Sequence, residues 1–69
     1  MAVPKQTLFL MLQAAGVTHQ VRPANICFTL KGKKAWIDLQ VDYKIRDIRC
    51  LVGQLDIDKS LVKKFIPQF

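Results

Sequence analysis

The sequence predicts a single α+β domain with an N-terminal helix, a small antiparallel sheet of about three strands centred on a hairpin (residues 25–42), and one or two C-terminal helices. Three observations lead to this fold class. Apolar residues recur at helical spacing up to residue 16, alternate with polar residues between 17 and 41, and return to helical spacing after 42. With 69 residues the chain has room for one core and no linker, so residues 1–69 are treated as one domain.

The first helix is predicted between Pro4 and Gly16. Proline fits the first position of a helix because its missing N–H has no partner there, and glycine is common just after the last turn. Four apolar residues share one face of this helix: Leu8, Met11, Leu12 and Ala15. Phe9 and Leu10 lie off that face, so the helix is apolar around more than half of its circumference.

A short strand is predicted to follow, over residues 17–22. Val17, His19 and Val21 alternate with polar residues until Pro23, which cannot donate to a sheet ladder. We therefore expect an edge strand. His19 shares a face with two valines, which favours a partly buried structural histidine over a catalytic base.

The hairpin carries the clearest alternation in the chain. Its apolar positions are Ile26, Phe28 and Leu30 before residues 31–34, and Ala35, Ile37, Leu39 and Val41 after them. If Leu30 faces Ala35, then Phe28 faces Ile37, and the pairing continues so that one face is wholly apolar. We therefore expect Phe28, Ile37 and Leu39 in the core.

Two helices are predicted after the hairpin. The spacing of apolar residues favours a helix over residues 43–52, with Asp42 as its N-cap and Gly53 at its end. Several β-branched residues in this segment leave a fourth strand as the alternative. Asp58 is placed to cap a final helix, which ends before Pro67.

The charge is strongly positive and unevenly placed. Eleven Lys and Arg residues stand against five acidic residues, which gives a net charge of +6 and a pI near 9.8. Residues 1–37 carry five cations and no acid, whereas all five aspartates lie between Asp38 and Asp58. This asymmetry favours an anionic partner, either nucleic acid or an acidic protein surface, although the same charge also serves solubility.

The hairpin tip is the candidate nucleic-acid-binding site. Lys31, Lys33 and Lys34 surround the turn, and Trp36 stands on the face opposite the apolar one. Cations that contact phosphates, combined with an aromatic platform for base stacking, are typical of nucleic-acid binders. Arg22 completes the predicted site. The competing interpretation places Trp36 beneath a helix and leaves the lysines only to keep the turn soluble.

A second basic patch is predicted on the outer side of the middle helix. It consists of Lys44, Arg46 and Arg49, with Asp47 among them. Mixed charges of this kind are the ordinary condition of a surface helix, so this patch favours no particular ligand.

No catalytic, cofactor or metal site is predicted. The chain has one histidine, one serine and no glutamate, and its aspartates have helix-cap or surface explanations, so we expect no enzyme. Gly16, Gly32 and Gly53 are scattered and form no phosphate loop. Cys27 and Cys50 with one histidine are too few for a four-ligand zinc site. We expect free thiols and a cytoplasmic location, with a single bridge between these cysteines as the alternative.

The apolar content is high for so small a chain. Hydrophobic residues make up 51% of the sequence, while a domain of this size buries only about 60% of its surface. Some apolar surface must stay exposed, so we expect self-association, with a homodimer as the first choice. A protein-interaction module is accordingly the second functional hypothesis, beside nucleic-acid binding. No apolar run approaches the roughly 20 residues of a membrane span.

Overall fold

The computed structural model describes residues 2–69. Along these residues the elements are β1 (Ala2–Pro4), α1 (Lys5–Ala14), β2 (Thr18–Val21), β3 (Asn25–Leu30), β4 (Lys33–Asp38), β5 (Asp42–Lys44), α2 (Ile45–Leu55) and α3 (Lys59–Phe65). The predicted α+β class is confirmed, with an N-terminal helix, a three-stranded antiparallel sheet and two C-terminal helices.

The central sheet has the strand order β2-β3-β4, and both neighbouring pairs are antiparallel. A two-residue turn joins β3 to β4. Its residues, Lys31 and Gly32, have φ angles of 49° and 83°, as a type I′ hairpin requires. Glycine adopts a positive φ without steric cost, which favours the tight turn at this position. β2 lies at an edge of the sheet, as predicted.

The hairpin register differs from the predicted one by two residues. The short turn places Lys33 opposite Leu30 and Ala35 opposite Phe28, whereas the sequence-based register paired Leu30 with Ala35. Because the shift is even, every side chain keeps its predicted face. β4 ends one residue before Leu39, which is 41% exposed in the following connection. Its predicted place in the core is therefore wrong.

The core lies between the helices and one face of the central sheet. β3 and β4 contribute Ile26, Phe28 and Ala35, and Ile37 is partly buried against them. The helices contribute Leu8, Met11 and Leu12 from α1, Ile48, Leu51, Val52 and Leu55 from α2, and Val62 from α3. The opposite face of the sheet contributes no residue to this cluster within the part of the chain that the structure describes.

An aromatic group closes the core beside β2. The ring of Phe9 lies edge-on to Phe28, with centroids 5.8 Å apart, and 5.3 Å from the ring of His19. His19 is exposed by area rather than partly buried, but its ring packs against both phenylalanines. These contacts support the predicted structural role for the histidine.

A second, two-stranded sheet was not predicted. β1 pairs antiparallel with β5, so that Val3 lies opposite Tyr43, and both side chains are buried. The Tyr43 hydroxyl donates a hydrogen bond to the Asp38 carbonyl at 2.8 Å and accepts one from the Gln40 amide at 3.3 Å. This buried tyrosine therefore holds the connection between β4 and β5 against the core.

The middle helix begins and ends later than predicted. Asp42 belongs to β5 and does not cap the helix; the N-cap position is Lys44, and no side chain caps it. Gly53 lies inside α2, which continues to Leu55 and ends where Asp56 adopts a left-handed φ of 56°. The strand alternative holds only for the three residues of β5.

The ends of the other two helices lie close to the predicted ones. Pro4 is the N-cap of α1 and the last residue of β1 rather than the first residue of the helix, and Gly16 follows the end of α1 with a φ of 81°. The Asp58 carboxylate accepts a hydrogen bond from the backbone N–H of Ser60 at 2.9 Å, which is the predicted N-cap of α3.

Candidate nucleic-acid interface

The face of the central sheet that points away from the core, here called the open face, presents two rows of side chains across its three strands. The first row is Gln20, Cys27 and Trp36, and the second is Thr18, Thr29 and Lys34. Asn25 and Asp38 extend the face beyond the first row, on β3 and β4 alone. None of these residues belongs to the core cluster. The open face therefore combines one large aromatic side chain with polar groups, the cation of Lys34 and the carboxylate of Asp38.

Trp36 is 53% exposed on this open face. Its cross-strand neighbour Cys27 is only 7% exposed although it lies outside the core cluster. Cys27 sits on the middle strand, so the side chains of Gln20 and Trp36 flank it on both sides, which accounts for its burial. The indole of Trp36 is thus not covered by a helix, contrary to the interpretation that made it a core residue.

The three predicted lysines take three different positions. Lys31 lies in the turn itself, and Lys34 lies on the open face two residues from Trp36, about 6.6 Å along the strand. Lys33 points to the other side of the sheet, where its ammonium lies 3.2 Å from a carboxylate oxygen of Asp56. Lys31 lines a cavity together with Asp56 and Asp58. The structure therefore keeps Lys34 beside Trp36 on the open face and places Lys31 and Lys33 near carboxylates elsewhere.

Arg22 lies at the opposite end of the sheet. It follows β2, and its backbone N–H donates a hydrogen bond to the carbonyl of Asn25 at 2.8 Å in the β2–β3 connection. The six residues of β3 separate this connection from the Lys31 turn, a distance of about 20 Å. Arg22 is therefore far from Lys31, but it stands only two residues beyond Gln20, which shares a row with Trp36.

A shallow cavity of about 240 Å³ lies beside Trp36, between β4 and α2. Its lining includes Asp38 and Asp47 together with the exposed thiol of Cys50. The two carboxylates repel phosphates, so a nucleic-acid strand is favoured on the Lys34 side of the indole. Sequence reasoning missed this cavity because it depends on how α2 packs beside β4.

The second predicted patch divides between two environments. Lys44 precedes α2 at its N-cap, and Arg46 is exposed on the helix surface. Arg49 lines a groove between α2 and α3 together with Lys59 and Lys63. No local sequence pattern indicates this groove, since its two walls come from separate helices.

The remaining chemistry of the chain is sparse. Among residues 2–69, no three His, Cys or Asp side chains are placed where they could hold a metal ion. Cys27 and Cys50 are both free. Within the same range, the helices are too short or too polar to cross a lipid bilayer.

No family model, no curated protein and no solved structure matches this chain. Any functional assignment therefore depends on the residues of the chain itself.

Proposed function

We propose that this chain is a small, cytoplasmic, non-enzymatic accessory or regulatory protein that binds single-stranded nucleic acid on the open face of its sheet. The supporting observation is the half-exposed indole of Trp36, which lies on the open face two residues from Lys34. Lys31 adds positive charge at the adjoining turn, although it lines a cavity with Asp56 and Asp58. The proposed binding surface consists of the basic hairpin tip and the adjoining part of the open face.

Each part of this surface matches a property of a single strand. An exposed indole stacks on any base and contributes about 1 to 3 kcal/mol, while ammonium groups contact the phosphates. Thr18, Thr29 and Gln20 offer hydroxyl and amide groups on the same face, and Asp38 lies on the other side of Trp36 from Lys34. Bases of a duplex are already stacked on each other, so the same surface favours unpaired strands.

The open face carries a single aromatic residue, Trp36, among the positions of its two rows. One stacked base and the few cations of the hairpin tip give a modest affinity that falls as the salt concentration is raised. The protein's net charge of +6 increases the rate at which a polyanion is captured at low ionic strength.

The test uses Trp36 as its own probe, because it is the only tryptophan of the chain. We expect a single-stranded oligonucleotide to quench its fluorescence at low salt, and a duplex of the same sequence to quench it much less. Quenching should fall as salt is raised, with a slope of about 0.7 log units per phosphate contact. Absence of quenching together with absence of binding by an independent measurement such as anisotropy would contradict the proposal.

A protein-interaction surface is the second candidate, and a different region supports it. Val41 is 87% exposed and Leu39 is 41% exposed in the connection between β4 and β5. Two large apolar side chains in one short connection are typical of a contact site, and a homodimer is the partner we propose for it. Sedimentation at concentrations well above micromolar distinguishes the cases: Leu39→Ser with Val41→Ser should abolish a dimer, and a wild-type monomer would contradict this candidate.

A further inference from the structure

The groove between α2 and α3 has a composition that differs from the rest of the surface. Its volume is about 380 Å³, within the range of small-molecule sites. Three of its lining residues are cations: Arg49, Lys59 and Lys63. Val52, Gly53 and Phe69 complete the lining, so no acidic side chain is among the residues that form it. The groove therefore combines three cations with an apolar surface.

Asp47 lines the separate cavity beside Trp36, and the other two aspartates close in sequence are engaged elsewhere. Asp56 pairs with Lys33 at 3.2 Å, and Asp58 accepts the hydrogen bond from the backbone of Ser60. Lys33 and Asp56 form the only ion pair among residues 2–69. The three cations of the groove therefore have no carboxylate of these residues within ion-pair distance. Lys59 and Lys63 also stand four residues apart on α3, where like charges destabilise a helix. A bound anion would relieve this repulsion.

Gly53 leaves open space beside the groove. It lies inside α2 without a positive φ, and a Cβ atom added there would meet no atom within 4 Å. Neither the backbone conformation nor the packing of the protein therefore requires glycine, although glycine weakens a helix interior relative to alanine. A position that is open toward a groove and has no side chain allows a flat molecule to approach the helix backbone.

We propose that this groove binds a phosphomonoester carried on a flat organic body, the chemistry of a nucleotide. The phosphate lies among Arg49, Lys59 and Lys63, and the flat body lies over Gly53 against Val52 and Phe69. A phosphomonoester carries a charge of about −1.5 to −2 at pH 7 and three acceptor oxygens, which matches three cations better than a carboxylate or a phosphodiester does. This site is separate from the open face and does not depend on the nucleic-acid proposal.

Two sources can supply this chemistry, a free nucleotide or the 5′ end of a nucleic-acid strand. Calorimetric titrations with adenosine monophosphate, adenosine and inorganic phosphate test the chemistry itself. We expect the nucleotide to bind more tightly than either of its parts. Titrations with a short oligonucleotide that has a 5′-phosphate or a 5′-hydroxyl then separate the sources. If the 5′-phosphorylated oligonucleotide binds more tightly than both the 5′-hydroxyl oligonucleotide and adenosine monophosphate, the ligand is a strand end. If it binds no more tightly than adenosine monophosphate, the ligand is the free nucleotide.

The chain offers matched controls for the cations. Lys63→Gln and Arg49→Gln should each weaken the binding of adenosine monophosphate by about threefold or more. Lys64→Gln and Arg46→Gln remove the same charges from the same two helices at residues outside the groove, and should change the affinity much less. Equal effects of the groove variants and their controls would show a non-specific attraction and overturn the proposal.

Gly53 separates a binding role from a structural one. Gly53→Gln should raise the melting temperature by several degrees because the helix is strengthened, and should also weaken nucleotide binding because the new side chain fills the groove. A more stable protein with unchanged affinity would overturn the proposal. Amide resonances of residues 49–69 should shift on addition of adenosine monophosphate, while the indole resonance of Trp36 stays in place. The same shifts in a Trp36→Leu protein would show that the groove acts independently of the open face.

Discussion

The two faces of the central sheet come from the same three strands but have opposite chemistry. On the covered face Ile26, Phe28 and Ala35 are almost fully buried against the helices, whereas on the open face Trp36 is 53% exposed. Cys27 shows that the middle strand is buried on both sides by different means, by helices on one side and by its cross-strand neighbours on the other. Burial on the open face therefore does not imply a second core.

The largest expected effect comes from truncating a core side chain on the covered face. Phe28 is 1% exposed and contacts the rings of Phe9 and His19. Phe28→Ala should lower the free energy of unfolding by about 3 to 5 kcal/mol, because it removes the ring from the core and leaves a cavity. This is of the order of the total stability of so small a domain, so thermal melts followed by circular dichroism should show an unfolded protein at room temperature.

A milder substitution keeps this prediction measurable. Phe28→Leu should leave a folded domain with a clearly lower melting temperature. Trp36→Leu is the matched substitution on the open face, and it should change the free energy of unfolding by less than about 1 kcal/mol. Similar losses of stability for the two leucine variants would show that both faces are covered.

The second test concerns binding on the open face. Trp36→Leu removes the stacking platform but retains an apolar cover over Cys27, so it should weaken the binding of single strands by about 1 to 3 kcal/mol. Fluorescence anisotropy of a labelled oligonucleotide measures this loss without the tryptophan signal. Trp36→Phe should recover most of the affinity. Unchanged binding of the leucine variant would remove Trp36 from the interface.

The sequence predicted which side chains share a face of the central sheet, but it did not predict which face the helices cover. Strict alternation from residue 26 assigns each side chain to one side, and an even error in register preserved that assignment. The length of the turn was misjudged because Lys33 and Lys34 look like turn residues, whereas the positive φ angles belong to Lys31 and Gly32 alone. The exposure of Trp36 depends on which face of the sheet the helices pack against, and the alternation of residues does not indicate this.

The short strands and the helix groove had no local signature. β1 and β5 have three residues each, too few to show a period, and they meet across about 40 residues of sequence. Gly53 was interpreted as a helix end because glycine commonly stands there, but α2 continues to Leu55. The grouping of Arg49 with Lys59 and Lys63 follows from that longer helix and from the packing of α3 beside it.

The third test concerns the connection between β4 and β5, which is hydrogen-bonded to the hydroxyl of Tyr43. Tyr43→Phe removes the hydroxyl that donates to the carbonyl of Asp38 and accepts from the amide of Gln40. The loss should be about 1 to 2 kcal/mol in the free energy of unfolding, since the carbonyl loses a donor at 2.8 Å in a partly buried position. Urea unfolding measures it. Binding of single strands should be unchanged, and a loss of binding would indicate that this connection positions the open face.

The smallest expected effect separates two neighbouring lysines that point to opposite faces. Lys34→Gln should reduce the slope of log affinity against log salt by about 0.7, the value for one lost phosphate contact on a single strand. Lys33→Gln should leave that slope nearly unchanged because its ammonium pairs with Asp56 on the covered side. The two side chains of that pair are 51% and 81% exposed, so its loss should cost less than about 1 kcal/mol of stability. The two variants remove the same charge at adjacent positions, and they differ in the direction of the side chain and in the ion pair that Lys33 makes. Equal reductions of the slope would mean that the nucleic acid responds to the total charge of the hairpin tip. This result would contradict the proposal that the open face is the binding surface.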